Sequence, residues 1–219
     1  MTYTELIAAI QSYTENTFPA TELASGSTVS ATEQLNLFIT QAERRIYNTV
    51  QFPALRKNVT GSTTGGNKYL SCPSDFLAAY SMAVVDGTGA YEFLLNKDVN
   101  YIRAAYPSPA DTGMPKYYAL FGPRSDNEDE LTFIMGPTPN AAYVVELHYF
   151  YYPESITVAA DGRTWLGDNF DSVLLYGALV EAYTFMKGEA DLLALYDGKY
   201  KEALAMAKRL GDGMERGDA

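Results

Sequence analysis

Apolar residues in this chain keep a helical period at both ends and a two-residue period between them. That change of period limits the fold more than any single motif does. Near the start, Leu6, Ile7 and Ile10 fall at helical spacing within residues 2–14. Ser30 and Glu33 then form a capping-box pattern, in which each side chain satisfies a free amide of a first helical turn. Leu35, Phe38, Ile39, Ala42 and Ile46 follow on one face, with Glu43, Arg44 and Arg45 mostly on the other, and Pro53 ends the unit. The middle alternates. In YVVELHYFYYP, Tyr143, Val145, Leu147, Tyr149 and Tyr151 share one side of a strand, and Val144, Glu146, His148, Phe150 and Tyr152 share the other.

Helical patterning returns after residue 165. Asp168 is read as the N-cap of a buried helix that runs to about Lys187 and is broken by Gly188. A last helix follows from Glu189 to Leu210, with Leu192, Leu195, Tyr196, Tyr200, Leu204 and Ala207 as its stripe. Helices at both ends of a segregated antiparallel middle make an α+β chain. The expected organisation is one helical bundle from residues 1–55 and 165–212. An antiparallel β-rich domain, sandwich-like or barrel-like, is inserted as residues 56–164, and 213–219 form a flexible tail. Within the insert, LRKNVTGSTTGGNKYLSCP reads as a hairpin, a turn falls at Asp86–Gly89, and Asp98–Ala105 reads as a short helix. MPKYYALFG and ELTFIMG read as strands joined by PRSDNEDE.

Charge narrows the partners. The formal net charge is −11, from 16 basic and 27 acidic residues, which argues against a surface built to wrap nucleic acid. An acidic chain can still stand beside DNA if its task is to let DNA slide. The single cysteine, Cys72, permits no intrachain disulfide and fits a reducing cytoplasm or a particle assembled there. The N-terminal stretch lacks the basic region of a secretory signal, and the longest apolar helical stretch is interrupted by Glu181.

No catalytic, cofactor or metal constellation emerges. His148 is the only histidine, so no paired-imidazole metal site exists, and it reads as a strand-surface or interface residue oriented by Glu146. GSTTGGNK at 61–68 imitates a phosphate loop, but Asn67 stands where lysine is required and Tyr69 replaces the magnesium-binding hydroxyl. Asp126, Glu128, Asp129 and Glu130 cluster without the spacing of a calcium loop; they read as a solvated loop or as an acidic fringe that repels a polyanion. Cys72 reads as a buried, inert thiol. The Asn58 triplet is a glycosylation acceptor only in a secreted protein, which nothing in the sequence indicates, and the Arg216-Gly217-Asp218 triplet reads as chance.

Taken in order, ATEQLNLFITQAERRIYNTVQFPAL, SCPSDFL, GMPKYYAL, FIMGPTPNAAYVVELHYFYYPE and WLGDNFDSVLLYGALVEAY, followed by a long last helix, resemble the phage head-to-tail connector or adaptor proteins of the tail-tubular-protein-A type. The resemblance covers nearly the whole chain. It includes the aromatic strand ending in Tyr-Pro and the step Tyr176-Gly177-Ala178. It departs at Cys72, where such proteins more often carry Leu.

The resemblance implies a structural virion protein and no enzyme. It implies a homo-oligomeric ring, usually of twelve subunits, beneath the portal protein in the phage neck and assembled in the host cytoplasm. Such a ring extends the channel through which double-stranded DNA passes without specific binding, and it offers a platform to the tail tube or nozzle. It involves no cofactor and no membrane. On that reading Lys208, Arg209, Met214 and Arg216 are candidates for portal contact. Asp126, Glu128, Asp129 and Glu130 are candidates for the lumen or a subunit edge, and Tyr149, Tyr151 and Tyr152 for interface aromatics. The rivals are a carbohydrate-binding module of a tail or baseplate, which would need those tyrosines flat on an exposed face, and a hydrolase with paired carboxylates.

Overall fold

The computed structural model describes residues 1–22, 24–123 and 130–216, the last two of these without their side chains. In chain order the elements are α1 (Tyr3–Thr14), β1 (Thr21–Glu22), β2 (Thr28–Val29), α2 (Ala31–Thr49), β3 (Arg56–Ser62), β4 (Tyr69–Ser71), β5 (Ala78–Val85), β6 (Tyr91–Phe93) and β7 (Leu95–Asn96). They continue with α3 (Val99–Ala105), β8 (Thr112–Gly113), β9 (Tyr117–Phe121), β10 (Thr132–Gly136), β11 (Thr138–Pro139), β12 (Val144–Phe150), α4 (Trp165–Asn169), α5 (Asp171–Met186) and α6 (Ala190–Arg216). The fold is α+β, with terminal helices around a β-rich middle. It divides into two compact units, one of Met1–Leu55 with the chain from Tyr152 onward, the other of Arg56–Tyr151.

In the helical unit, α5 is the central element and packs against α1, α2, α4 and α6. Its residues from Val173 to Tyr183 are buried on nearly every side, as an all-apolar helix must be. Two capping boxes start the outer helices, Thr2 with Glu5 on α1 and Ser30 with Glu33 on α2. Gly177 lets the helices close: a Cβ there would stand 3.2 Å from both Ala42 Cβ and Tyr200 Cε2. Tyr183 and Tyr196 then meet with ring centroids 4.9 Å apart. Three expectations need correction here. Asp168 lies inside α4, whose N-cap is Thr164, while α5 starts at Asp171 without a side-chain cap. Lys187, not Gly188, takes the left-handed conformation that ends α5. Glu43 lies not on the outer face of α2 but buried at 2 % exposure.

The segment 152–164, which periodicity leaves with the β region, packs among the helices. The Ile156 N–H donates to Glu43 Oε1 at 2.9 Å, and the Tyr3 N–H donates to the Gly162 carbonyl at 2.8 Å. At the other end, α6 runs six residues beyond Leu210, so 213–216 are helical and not a loose tail; 217–219 lie outside the described residues. Two glycines weaken this helical end, but Gly211 is buried against the chain before it, where an added Cβ would stand 2.8 Å from the Gln51 carbonyl oxygen. Close packing offsets the propensity cost. The stripe of α6 also turns out narrower than its sequence suggests: Tyr196, Tyr200 and Ala207 face inward, whereas Leu192 and Leu195 are exposed.

The β unit is a sandwich of two four-stranded sheets, ordered β3-β12-β5-β6 and β4-β10-β9-β7. Pairing is antiparallel except for β7 with β9 and the small β8–β11 pair. Both sheets feed one core, including Met82, Val84, Val145, Leu147 and Tyr149 from the first and Tyr118, Phe133 and Met135 from the second. The expected hairpin of residues 55–73 does not form, because β3 pairs with β12 in one sheet and β4 with β10 in the other. The β5–β6 turn at 86–90 and the β9–β10 pairing follow the sequence reading.

Candidate functional site

The described residues hold no group of three metal-ligating side chains, and no helix among them is long and apolar enough to cross a membrane. β12 decides the fate of the aromatic candidates. Its two-residue period sends Tyr149 inward with Val145 and Leu147, leaving it 1 % exposed. The Tyr149 hydroxyl donates to Asp75 Oδ1 at 2.8 Å, and Lys57 Nζ donates to Asp75 Oδ2 at 2.8 Å. Tyr149 is thus a core residue with its polar tip satisfied, and it presents no surface to a partner. Tyr151 is half-buried against the same core, with Lys57 Nζ 5.0 Å from its ring centroid. Tyr152 is exposed and donates its hydroxyl to Asn48 Oδ1 at 2.6 Å. These three tyrosines form no flat platform for a sugar. Exposed aromatics on the described sandwich strands are instead Tyr69, Tyr80, Tyr91, Phe93 and Phe121.

The other strand face carries His148. Its Nε2 lies 3.5 Å from Glu146 Oε1 and its Nδ1 lies 3.3 Å from Ser81 Oγ. A serine, a histidine and a carboxylate thus fall in line across two paired strands, a juxtaposition the sequence did not reveal because Ser81 comes from β5. A hydrolytic site also needs a pocket and oxyanion donors. The three side chains lie on the outer face of a sheet, and neither of the two clefts below is lined by any of them. The arrangement orients a surface histidine.

The phosphate-loop imitation ends in a strand, β4, and not at a helix. Two of its amides are already used: the Gly66 N–H donates to the Pro139 carbonyl at 2.8 Å and the Asn67 N–H to the Thr64 carbonyl at 3.0 Å. Gly66, Asn67, Lys68 and Tyr69 line a shallow cleft of about 220 Å³ with Tyr106 to Pro109. A second cleft, of about 240 Å³, opens between the edge strands β3 and β4 and is lined by Val59, Gly61, Leu70, Cys72, Val145 and Leu147 among others. Cys72 is buried, and burial with the charge of Glu130 pushes its thiol up to about 12. Of the acidic cluster, Asp126, Glu128 and Asp129 lie outside the described residues; Glu130 is half-buried where the chain re-enters β10.

The last candidate surface is the free side of α6. Lys208 and Arg209 are exposed, as is Met214; the side chain of Arg216 lies outside those described. These residues continue an exposed stripe in which Leu192, Leu195, Met206 and Leu210 alternate with the ion pair Lys199–Glu202 at 3.3 Å. Sequence periodicity located the helix but merged its two apolar faces, since a buried and an exposed leucine carry the same signal.

A family model described as SU10 adaptor protein matches residues 1–218. No curated protein is similar enough to the chain to match it. A match over nearly the whole chain shows that it belongs to the SU10 adaptor protein family, and so among the structural adaptor proteins of phage virions.

Proposed function

We propose that this member of the SU10 adaptor protein family is a head-to-tail adaptor. It forms a ring, of twelve copies if it follows the tail-tubular-protein-A type it resembles, beneath the portal. The ring extends the DNA channel and presents a platform to the tail tube or nozzle. The observation that carries the reading is the family match over residues 1–218. Physical features support it. With a net charge of −11, the ring wall has little means of releasing counterions from a passing duplex, so DNA slides and does not stick. The role is structural and needs no turnover.

The helical unit is the part proposed to meet the portal. Its longest helix, α6, leaves one apolar and basic face uncovered at its C-terminal end, which suits a helix-in-groove contact. Lys208, Arg209, Met214 and Arg216 are the proposed contacts. The acidic residues Asp126, Glu128, Asp129 and Glu130 are assigned to the lumen or a subunit edge, where they repel the duplex backbone.

The test is uptake by the portal of the same particle. A chain lacking residues 208–219, or carrying Lys208→Glu and Arg209→Glu, should lose portal binding; the second variant changes only exposed side chains and so keeps the fold. Full binding by both would remove α6 from the portal contact. Neutralising the four acidic residues without any effect on DNA retention or ejection would remove them from the lumen.

A further inference from the structure

Helix α6 carries a second pattern on the side turned away from its own bundle. Tyr200, Ala207 and Gly211 face inward. On the outer side Leu192, Leu195, Lys199, Glu202, Met206 and Arg209 recur at alternating spacings of three and four, the spacing of a seam between two helices. All six are exposed, Leu195 and Met206 at 54 % and 62 %.

The seam is complementary to itself. Its residues are placed symmetrically about the midpoint between Tyr200 and Lys201. A second α6 laid antiparallel about that midpoint sets Leu195 of each copy against Met206 of the other, and Lys199 against Glu202. Leu192 meets the aliphatic stem of Arg209, whose guanidinium then reaches toward Asp191, an exposed acid one position before Leu192. Charge fixes the direction. Within one chain Lys199 Nζ lies 3.3 Å from Glu202 Oε2. In antiparallel register two such pairs stand side by side with signs reversed, so every charge gains a second opposite neighbour. In parallel register lysine would meet lysine and glutamate would meet glutamate.

Gly198 points to the same occupant. Glycine weakens a helix interior. At Gly177 and Gly211 close packing offsets that cost, but a Cβ added to Gly198 meets nothing within 4 Å. Nothing inside the chain uses the space it leaves. Gly198 and the exposed Ala205 each precede a seam residue by one position, so one flank of the seam is small and lets a second helix come close.

We propose that the free chain pairs with a second copy of itself through antiparallel α6 helices, Leu195 of each copy packing on Met206 of the other. The contact is isologous and closes on two copies, so it is not the contact of a ring. Arg209 belongs both to this seam and to the proposed portal contact. Pairing therefore covers that face until the portal displaces it, a consequence that rests on the adaptor reading; the pairing itself does not.

The test is sedimentation equilibrium of the full chain with two single variants, Lys199→Glu and Glu202→Lys. Both change only exposed side chains and both lose the same intrahelical pair, so both should keep the wild-type circular dichroism. Alone, each should self-associate more than about tenfold more weakly than wild type, because like charges then face each other across the seam. Mixed in equal amounts they should form a one-to-one heterodimer, since two acids of one copy face two bases of the other. Copies carrying Leu195→Cys, mixed with copies carrying Met206→Cys and oxidised with diamide, should give the 195–206 disulfide; Leu195→Cys alone should not crosslink to itself. A wild-type chain that stays monomeric, or a mixture that associates no more tightly than either variant alone, would overturn the pairing and leave the adaptor reading standing, since no portal is present. Variants that pair as wild type does yet fail to bind the portal would assign the stripe to the portal and overturn the pairing as well.

Discussion

The Glu43 carboxylate accepts the backbone N–H of Ile156 at 2.9 Å, joining helix α2 to a loop 113 positions away, with Glu43 only 2 % exposed. Burial is the largest influence on this group and raises its pKa above 4.5, against the opposing hydrogen bonds from Ile156 and Ser155. A carboxyl with a raised folded-state pKa contributes stability that is fully present below the unfolded value and is lost as pH rises through the folded one. Glu43→Gln keeps the acceptor and removes the titration. Its unfolding free energy minus that of wild type should therefore climb as pH rises from below about 4.5 to neutrality. Urea denaturation across that range measures it; a difference that shrinks with rising pH would contradict the assignment.

Tyr149 is held by chemistry as well as by packing. Burial acts to raise the Asp75 pKa, but the hydrogen bonds from Lys57 and Tyr149 and the Lys57 charge outweigh it and hold it below the usual value. Tyr149→Phe should cost about 1.5–3 kcal/mol at neutral pH, the worth of a hydrogen bond to a charged group. Because a depressed carboxyl gives stability present above the unfolded pKa and lost as pH falls through the folded one, the cost should fade under acid. Chemical denaturation at two pH values tests both parts.

The C-terminal turns of α6 should behave as docked helix. Alanine usually improves a helix interior by about 1 kcal/mol over glycine. At Gly211 the added methyl would stand 2.8 Å from the Gln51 carbonyl oxygen and 3.2 Å from Val50 Cγ1. Gly211→Ala should thus accelerate amide exchange in residues 208–216 instead of slowing it. Slower exchange in the variant would mean that this end does not rest on residues 50–52.

Cys72, with its thiol pushed up to about 12 and 4 % exposed, should resist alkylation at pH 8 in the native chain and react at once in urea. Fast labelling of the native chain, followed by mass spectrometry, would count against a closed β10–β4 end.

Much of the fold was legible because the period of apolar residues changes where the architecture does. The capping box at Ser30 and the alternation of β12 are local signals, and local signals survive in a single sequence; the same signal stands at Thr2 and Glu5, where the sequence reading passed over it. What escaped depends on partners distant in the chain. Glu43 neighbours Ala42 on the helix wheel, and nothing local says that Ile156 will bury it. β3 and β4 follow one another with glycines between, as a hairpin would, yet each finds a better partner elsewhere. The same holds for the surfaces. Alternation already put Tyr149 on the apolar face with Val145 and Leu147, whereas no local signal marks Phe93 as exposed on its edge strand.

The central claim is tested most directly by native mass spectrometry of the chain alone and after mixing with the portal of the same particle. The account predicts stoichiometric uptake as a closed ring matching the portal's symmetry, whatever the free chain does. A chain that stays apart from the portal at concentrations well above those of assembly would contradict it.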